Sequence, residues 1–275
     1  MSNQQTRNID DEVRVERRGH VLEITLDRPK VNAIDTVASR ALGEAFVRLR
    51  DDPELRVGIL TASGDKIFSA GWDLKALDQG EIQLDNWWEQ EDASLGGFAG
   101  ITEMWDLNKP VIAALNGLAI GGGLEIALAC DLIVAAENVQ FALPELPLGI
   151  IPDAGAIQRL PRRIPYTIAM EMLLLGRWVT AEEAASFGMI NRVVESGRAL
   201  DAAREWSQQL ADSAPLALQT VKEVLRAIEG EPVESAFDTM RAGDLPTYKK
   251  MLTSEDAQEG VRAFVEKRKP VFKGR

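Results

Sequence analysis

The chain has 275 residues, 45% of them hydrophobic and 27% charged, which is typical of a globular protein with a sizeable core. Its 31 basic and 43 acidic residues give a formal net charge of −12, which disfavours binding to the phosphate backbone of a nucleic acid. Cys130 and His20 are the only cysteine and histidine, which excludes an intrachain disulfide and a Cys/His zinc site. We therefore expect no nucleic-acid partner and no metal site, and we expect His20 to be an exposed residue of a turn.

The first sixty residues predict strands and one helix in an α/β order. Residues 12–18 and 21–26 alternate apolar and polar side chains, and Gly19 between them is typical of a hairpin turn. Asp35 is a suitable N-cap for a helix that reaches Arg50, and a short apolar strand follows that helix.

The most apolar stretch of the chain is residues 111–136. Short strands are expected at 110–115 and 132–135, on either side of three glycines at 121–123. A glycine triplet can form a tight turn, and the Ala/Leu-rich sequence after it favours a helix that begins at the triplet. Because the stretch also contains polar residues, Glu125 among them, we interpret it as buried core and not as a membrane span. The polar N-terminus has no apolar signal-peptide segment, so we expect a cytoplasmic protein with no membrane partner.

Beyond residue 178 the composition shifts toward helix. Thr180 and Glu183 fit a capping box. Helices are expected at residues 199–210, 216–228 and 254–268, and one more strand at 189–194. We therefore divide the chain into an α/β core at residues 1–200 and a helical C-terminal region at residues 201–275.

Two glutamates in apolar surroundings are the candidate acid and base. Glu125 lies within one turn of the glycine triplet, and Glu145 follows the sequence FALP. Burial raises the pKa of a carboxyl group, so such a pair could move protons near neutral pH. Asp153 is a third carboxylate, which either caps a helix after Pro152 or joins the site.

Backbone amides are the second candidate element. The glycines at 121–123 could stabilise a developing oxyanion at the start of a helix, or could serve only the close packing of helix on strand. A turn of small residues at 68–75 could bring further amides to a ligand, and Lys75 in it could meet an anionic group.

Together these segments resemble the crotonase family, also called the enoyl-CoA hydratase/isomerase superfamily. The likeness is carried by SAGWDLK at residues 69–75, KPVIAALNG at 109–117 with GGGLE at 121–125, and FALPE at 141–145 with LGIIP at 148–152. It extends over nearly the whole chain, from Val13 to Arg275. It implies a crotonase-like α/β fold, a spiral of β-β-α units with a helical C-terminal region that mediates oligomerisation.

The resemblance also implies the roles of individual residues. The backbone amides of Trp72 and Gly122 would form an oxyanion hole, and Glu125 and Glu145 would be the two catalytic glutamates. Residues that contact the substrate or its CoA moiety would be Lys30, Ala70, Asp73, Lys75, Gly121 and Asp153. CoA would enter as part of the substrate thioester, with no permanently bound cofactor. The partners would be further copies of the chain, in a homotrimer or a dimer of trimers.

The presence of both glutamates favours hydration or dehydration within this family. The closest likeness within it implies the reversible loss of water from carnitinyl-CoA to give crotonobetainyl-CoA. Trp87, Trp88 and Trp105 could meet the quaternary ammonium of such an acyl group, or could form an aromatic core or lid. The alternatives are a general enoyl-CoA hydratase, an isomerase or dehalogenase that uses Asp153, and a non-catalytic acyl-CoA-binding protein.

Overall fold

The computed structural model describes residues 12–80 and 95–275. In chain order its strands are β1 (Val13–Arg18), β2 (Val21–Leu26), β3 (Val57–Ala62), β4 (Ile67–Ser69), β5 (Val111–Leu115), β6 (Leu118–Ile120), β7 (Leu132–Ala136), β8 (Gln140–Ala142), β9 (Val179–Thr180) and β10 (Arg192–Val194). The α-helices are α1 (Thr36–Asp51), α2 (Leu74–Asp78), α3 (Gly122–Ala129), α4 (Ala156–Arg163), α5 (Tyr166–Leu175), α6 (Ala181–Ser186), α7 (Ala199–Ala211), α8 (Pro215–Ile228), α9 (Val233–Ala242), α10 (Pro246–Leu252) and α11 (Glu255–Val265).

The strands form two sheets that are connected by a repeated unit. The larger sheet has the order β1-β2-β3-β5-β7-β10, and the smaller has the order β4-β6-β8-β9. Three successive units, β3-β4-α2, β5-β6-α3 and β7-β8-α4, each place their first strand in the large sheet and their second in the small one. Neighbouring strands from successive units are parallel in both sheets. This is the predicted spiral of β-β-α units.

Several local predictions are confirmed by the backbone. Gly19 has φ +61° in an antiparallel hairpin of β1 and β2. The Asp35 carboxylate accepts a hydrogen bond from the amide of Ala38 and caps α1. Thr180 and Glu183 form the reciprocal bonds of a capping box. Short hydrogen-bonding side chains placed directly before apolar runs therefore predicted helix starts well, because they satisfy amides that the first turn leaves unpaired.

The predicted cap at Asp153 is wrong. Helix α4 begins at Ala156, after a sharp turn at Gly155 with φ +134°, and no side chain caps it. His20 is half-buried and not exposed, and its Nδ1 lies 2.7 Å from the carbonyl oxygen of Glu54. The last helix and the last strand are also shorter than predicted, since α11 ends at Val265 and β10 begins at Arg192.

Helix α7 packs across β3, β5 and β7 and ties the C-terminal helices to the large sheet. Arg204 on this helix donates two hydrogen bonds to Glu23 on β2, at 2.8 and 2.7 Å. The predicted boundary between residues 200 and 201 falls inside α7, and the division into two regions stays a prediction. Within residues 12–80 and 95–275, no helix is long and apolar enough to span a membrane.

Candidate active site

The predicted site segments follow three neighbouring strands of the small sheet. Strands β4, β6 and β8 are parallel, with Ser69 opposite Ala119 and Ile120 opposite Ala142. Their carboxyl ends therefore lie along one edge, where parallel sheets commonly bind ligands. The loop with Trp72 follows β4, the glycine triplet follows β6, and Glu145 follows β8. The topology thus brings together three segments that are widely separated along the chain.

Two glycines meet where the first two loops touch. Gly71 has φ +80°, and a Cβ placed on it would lie 2.5 Å from the backbone nitrogen of Gly122. Gly122 is the first residue of α3, so no carbonyl of that helix accepts its N–H. The contact sets the Gly71-Trp72 backbone directly beside the amino end of α3, as an oxyanion hole made of Trp72 and Gly122 requires.

Close packing also explains part of the glycine triplet. A Cβ on Gly123 would lie 2.1 Å from the carbonyl oxygen of Ser69, and one on Gly122 would lie 2.6 Å from Phe98 Cε1. The Phe98 ring also stacks on Trp72, with ring centroids 4.4 Å apart. Close packing of the triplet is therefore confirmed, and it brings the amide of Gly122 to the loop with Trp72. The oxyanion hole at this contact stays a prediction.

Glu125 lies one turn into α3 and is only 2% exposed. Its Oε1 accepts a hydrogen bond from the amide of Ala156 at 3.0 Å. Burial, with smaller contributions from the charges of Glu145 and Asp153, raises the pKa of Glu125 to about 8. The hydrogen bond from Ala156 and the positive charge of Arg159 act in the opposite direction. Glu125 is therefore a carboxyl group that can keep its proton at neutral pH.

Glu145 is 9% exposed and lies beside Gly121. A Cβ on Gly121 would lie 2.6 Å from Glu145 Oε1, and Oε2 is buried without a hydrogen-bond partner among the described residues. Burial raises the pKa of Glu145 to about 7, with a further contribution from the charge of Asp153. Because the two glutamates interact, their protons belong to the pair, and one can be ionised while the other is protonated.

Asp153 is half-buried in the turn that precedes α4. Its backbone oxygen accepts a hydrogen bond from Gln158, and its charge acts on both glutamates. The structure therefore brings Asp153 close to the predicted site. Its role in binding stays a prediction.

Lys30 and Lys75 line one cavity of about 520 Å³ next to this edge. The Ala70 amide donates to the carbonyl oxygen of Val31, which joins the first site loop to the loop around Lys30. Asp73 lines the same cavity, and its carboxylate caps α2 through the amides of Lys75 and Ala76. The structure thus brings together four of the six residues predicted to contact the substrate or CoA, namely Lys30, Ala70, Asp73 and Lys75, while their role stays a prediction.

Sequence reasoning missed three parts of this site. Ala156 acts through its backbone N–H, and Phe98 packs on Trp72 and in front of Gly122, so neither has a side chain that signals chemistry. Arg159 was also missed, although it lies four residues beyond Gly155 in a basic helix. Trp87 and Trp88 lie outside the described residues. Among residues 12–80 and 95–275, no group of three His, Cys, Asp or Glu side chains is arranged to hold a metal ion.

A sequence model described as enoyl-CoA hydratase/isomerase matches residues 16–275. The chain belongs to this family. It is 56% identical over 259 residues to a carnitinyl-CoA dehydratase of Salmonella enteritidis PT4, which covers 94% of this chain and 97% of that protein. A crystal structure of an enoyl-CoA hydratase from Mycobacterium tuberculosis has a TM-score of 0.85 at 39% identity, over 96% of this chain and 100% of that one. An enoyl-CoA hydratase from Mycobacterium marinum also has a TM-score of 0.85, at 41% identity and the same coverage.

These matches confirm the predicted family and the crotonase-like α/β fold. The share of each chain that is covered also means that the likeness is not confined to the site segments. The two loops, the two glutamates and the two lysines described above all lie within the range that the enoyl-CoA hydratase/isomerase family matches.

Proposed function

We propose that the chain is a hydro-lyase of CoA thioesters, which adds water to, or removes it from, the α,β bond of the acyl group. The observation that carries this proposal is the pair of buried glutamates beside the Gly71–Gly122 contact, one of them with an unpartnered oxygen. Loss of water needs one ionised carboxylate to take a proton and one protonated carboxyl to give one. Glu145 and Glu125 are suited to these two tasks, since burial raises the pKa of both carboxyl groups toward neutral pH and the pair can hold one proton between them.

In the dehydration direction, Glu145 takes the proton from the α-carbon of the thioester. The electron pair of that C–H bond becomes the new double bond, the C–O bond at the β-carbon breaks, and the hydroxyl leaves as water with the proton of Glu125. Meanwhile the N–H groups of Trp72 and Gly122 donate to the thioester oxygen as negative charge develops on it. Hydration follows the same steps in reverse.

Lys30 and Lys75 are assigned to the phosphates of the CoA moiety. Neither lysine forms an ion pair with another residue of the described ranges, so both ammonium groups are available to an anion. The cavity that they line lies beside the Ala70 loop, which leads to the oxyanion hole. This arrangement is suited to a nucleotide bound outside and an acyl group bound inside.

The substrate that we propose is carnitinyl-CoA, with crotonobetainyl-CoA as the product. Support comes from the 56% identity to a carnitinyl-CoA dehydratase. Trp105 is not a good partner for the quaternary ammonium, because the guanidinium of Arg159 already lies over its ring at 5.8 Å from the centroid. The aromatic residues that remain from the sequence hypothesis are Trp87 and Trp88.

A spectrophotometric assay of the enoyl thioester tests the proposal directly. We expect water addition to crotonobetainyl-CoA to exceed that to crotonyl-CoA in kcat/KM, and we expect Glu145→Gln to lose most of it. The control is Glu182→Gln, which changes an exposed glutamate in the first turn of α6 and should keep wild-type turnover. Preference for crotonyl-CoA would make the chain a general enoyl-CoA hydratase. Near-normal turnover by Glu145→Gln would refute the assignment of that residue.

A second candidate function uses Asp153 as a catalytic group, in a double-bond isomerase or a dehalogenase. The observation that favours it is the electrostatic contact of Asp153 with both glutamates. The variant Asp153→Asn distinguishes this candidate function from the hydro-lyase. Hydratase activity that survives this change supports the hydro-lyase, whereas an isomerase or dehalogenase activity that requires Asp153 supports the alternative.

The same proposal includes a homotrimer or a dimer of trimers that needs no cofactor and works in the cytoplasm. Exposed apolar side chains on the C-terminal helices support self-association, Phe264 at 85% and Val265 at 74% among them. Light scattering of the purified protein measures the number of copies. Activity after dialysis against a chelator tests for a bound metal, and cell fractionation tests the location.

A further inference from the structure

Arg159 on α4 lies where three segments of the site meet. Its Nη2 donates to the carbonyl oxygen of Thr102, and its guanidinium carbon lies 5.8 Å from the centre of the Trp105 ring. Its Nη1 covers the turn before α4, since a Cβ placed on Gly155 would lie 2.2 Å from that nitrogen. One side chain therefore spans the distance between the Thr102–Trp105 segment and the Gly155 turn.

Each segment that Arg159 holds carries a contact to the site. Gly155 precedes Ala156, whose N–H donates to Glu125 at 3.0 Å. Thr102 donates its hydroxyl to the carbonyl oxygen of Phe98 at 3.2 Å, and the Phe98 ring packs on Trp72. The glutamate and the aromatic wall of the oxyanion loop are thus tied to the same guanidinium.

We propose that Arg159 is a positioning residue that fixes the Gly155 turn and the Phe98–Trp105 segment against Glu125, and that its positive charge acts on Glu125. This inference rests on the proposed function. The planar guanidinium suits the task, because it can donate to Thr102, cover Trp105 and lie on Gly155 at the same time, whereas a lysine ammonium is a single point of charge.

The charge of Arg159 has a predictable effect on the proton of Glu125. Glu125 is faced by Glu145, Asp153 and Arg159, and it accepts the amide of Ala156. Arg159 itself is faced by Arg163, Glu103 and the Cys130 thiol in addition to Glu125. Because Arg159 is a positive charge near Glu125, its removal raises the pKa of that carboxyl, and Glu125 keeps its proton to a higher pH.

The test compares Arg159→Met and Arg159→Lys with Arg162→Met in the dehydration assay. Arg162 is exposed on the same helix, and within residues 12–80 and 95–275 its guanidinium donates only to the carbonyl oxygen of Gln158, so it is a matched control. We expect Arg159→Met to lower kcat roughly 10-fold to 100-fold through misplaced reacting groups, with KM within about 2-fold. We also expect the basic limb of its pH profile to move up by about half a unit or more.

Arg159→Lys separates position from charge. It keeps the positive charge, so its basic limb should stay near that of the wild type. It loses the two guanidinium nitrogens that reach Thr102 and Gly155, so its kcat should lie between those of Arg159→Met and the wild type. A basic limb and a kcat in Arg159→Met that match those of Arg162→Met would overturn the proposal. If Arg159→Met fails to fold by circular dichroism, an Arg159→Lys variant with full kcat would overturn it.

An infrared titration distinguishes this inference from the proposed function. The band of the protonated Glu125 carboxyl is assigned by its loss in Glu125→Gln, and its midpoint is measured without substrate. A higher midpoint in Arg159→Met than in wild type supports the inference even if neither thioester is hydrated, in which case the proposed function alone fails. An unchanged midpoint overturns the inference even in an active hydro-lyase.

Discussion

A buried glutamate of the large sheet and two buried glutamates at the edge of the small sheet have pKa values that are shifted in opposite directions. Glu23 on β2 bonds to Arg204 at 2.8 and 2.7 Å and lies 2.9 Å from Arg18. Burial by itself would raise the pKa of Glu23, but the bonds and charges of the two arginines outweigh it and lower that pKa. Glu125 and Glu145 form no ion pair within the described ranges, and burial raises the pKa of each.

The difference shows how one residue type serves two purposes. A buried carboxylate with cations around it stays ionised and joins two elements, here the sheet and α7. A buried carboxyl without a paired cation is costly to ionise, so it holds its proton until near neutral pH and can pass it on. Pairing with arginines therefore separates Glu23, which joins two elements, from Glu125 and Glu145, which lie where a substrate is expected.

The largest effect expected from this comparison is on activity, between Glu125→Gln and Glu23→Gln. Loss of the Glu125 proton should lower kcat/KM by roughly 10²-fold to 10⁴-fold, the range for a general acid or base. Glu23→Gln should leave kcat/KM within a few-fold of the wild type, but should cost about 1–3 kcal/mol of stability because it removes the buried carboxylate that Arg18 and Arg204 share. Enzyme assays and urea unfolding of both variants measure the contrast. Equal losses of activity in Glu125→Gln and Glu23→Gln would contradict the distinction between the two kinds of glutamate.

A smaller effect is expected at the glycines that bring the amides together. Gly71 and Gly64 have similar φ values, +80° and +86°, but only Gly71 is crowded, whereas a Cβ on Gly64 would meet nothing within 4 Å. Gly71→Ala should displace Gly122 and lower kcat by roughly 10²-fold to 10³-fold, as does the loss of one oxyanion donor. Gly64→Ala has the same backbone strain and should cost about 1 kcal/mol of stability with normal kcat. Normal kcat in Gly71→Ala would contradict an oxyanion hole at this contact.

The two kinds of glutamate also predict opposite dependences of stability on pH. The unfolded chain ionises Glu125 and Glu145 near their ordinary pKa of 4.5, whereas the folded pKa values are about 8 and about 7. Unfolding therefore releases protons between about pH 5 and pH 8, and the free energy of unfolding falls as the pH rises through that range. Glu23 has a lowered pKa, so its contribution is present at neutral pH and is lost as the pH falls below 4.5.

Urea unfolding at about pH 5, 6.5 and 8, which roughly spans these pKa values, shows whether the free energy of unfolding falls as the pH rises. The double variant Glu125→Gln/Glu145→Gln should remove most of the decline that the wild type shows over this range. Glu23→Gln serves as the control, because it should keep the decline above pH 5 and lose the acid-side contribution. A wild-type protein whose stability rises steadily from pH 5 to pH 8 would show that other groups outweigh these two.

The sequence predicted local structure wherever a single side chain causes it. Asp35 and Thr180 cap helices through their own oxygens, and Gly19 turns a hairpin. The resemblance added the site segments, which the parallel strands of the small sheet then bring to one edge. Asp153 failed as a cap because Gly155 turns the chain before the helix begins.

What could not be predicted depends on contacts between distant backbone atoms. The Ala156 amide that binds Glu125 has no signal in the sequence, because every residue except proline has such a group. The pairing of Glu23 is also invisible, since Arg204 lies 181 residues away along the chain. The sequence could therefore propose Glu125 and Glu145 as acid and base, but only the fold shows that Glu23 is also buried and that it is paired with arginines.

The smallest expected effect concerns the unpaired cations, and it sharpens the comparison from the opposite sign of charge. Lys75 is exposed and lines the cavity assigned to the CoA phosphates, whereas Lys222 is paired with Asp131 at 2.8 Å. Lys75→Ala should raise KM for a CoA thioester roughly 3-fold to 10-fold, most strongly at low salt, with kcat and stability unchanged. Lys222→Ala should do the reverse, lowering stability with KM unchanged, because its ammonium joins α8 to the end of α3.

A pantetheine thioester, which lacks the nucleotide, should show no difference between Lys75→Ala and wild type. If KM rises equally for both thioesters, Lys75 does not act on the phosphates, and the rule that unpaired charges mark the substrate site fails for cations.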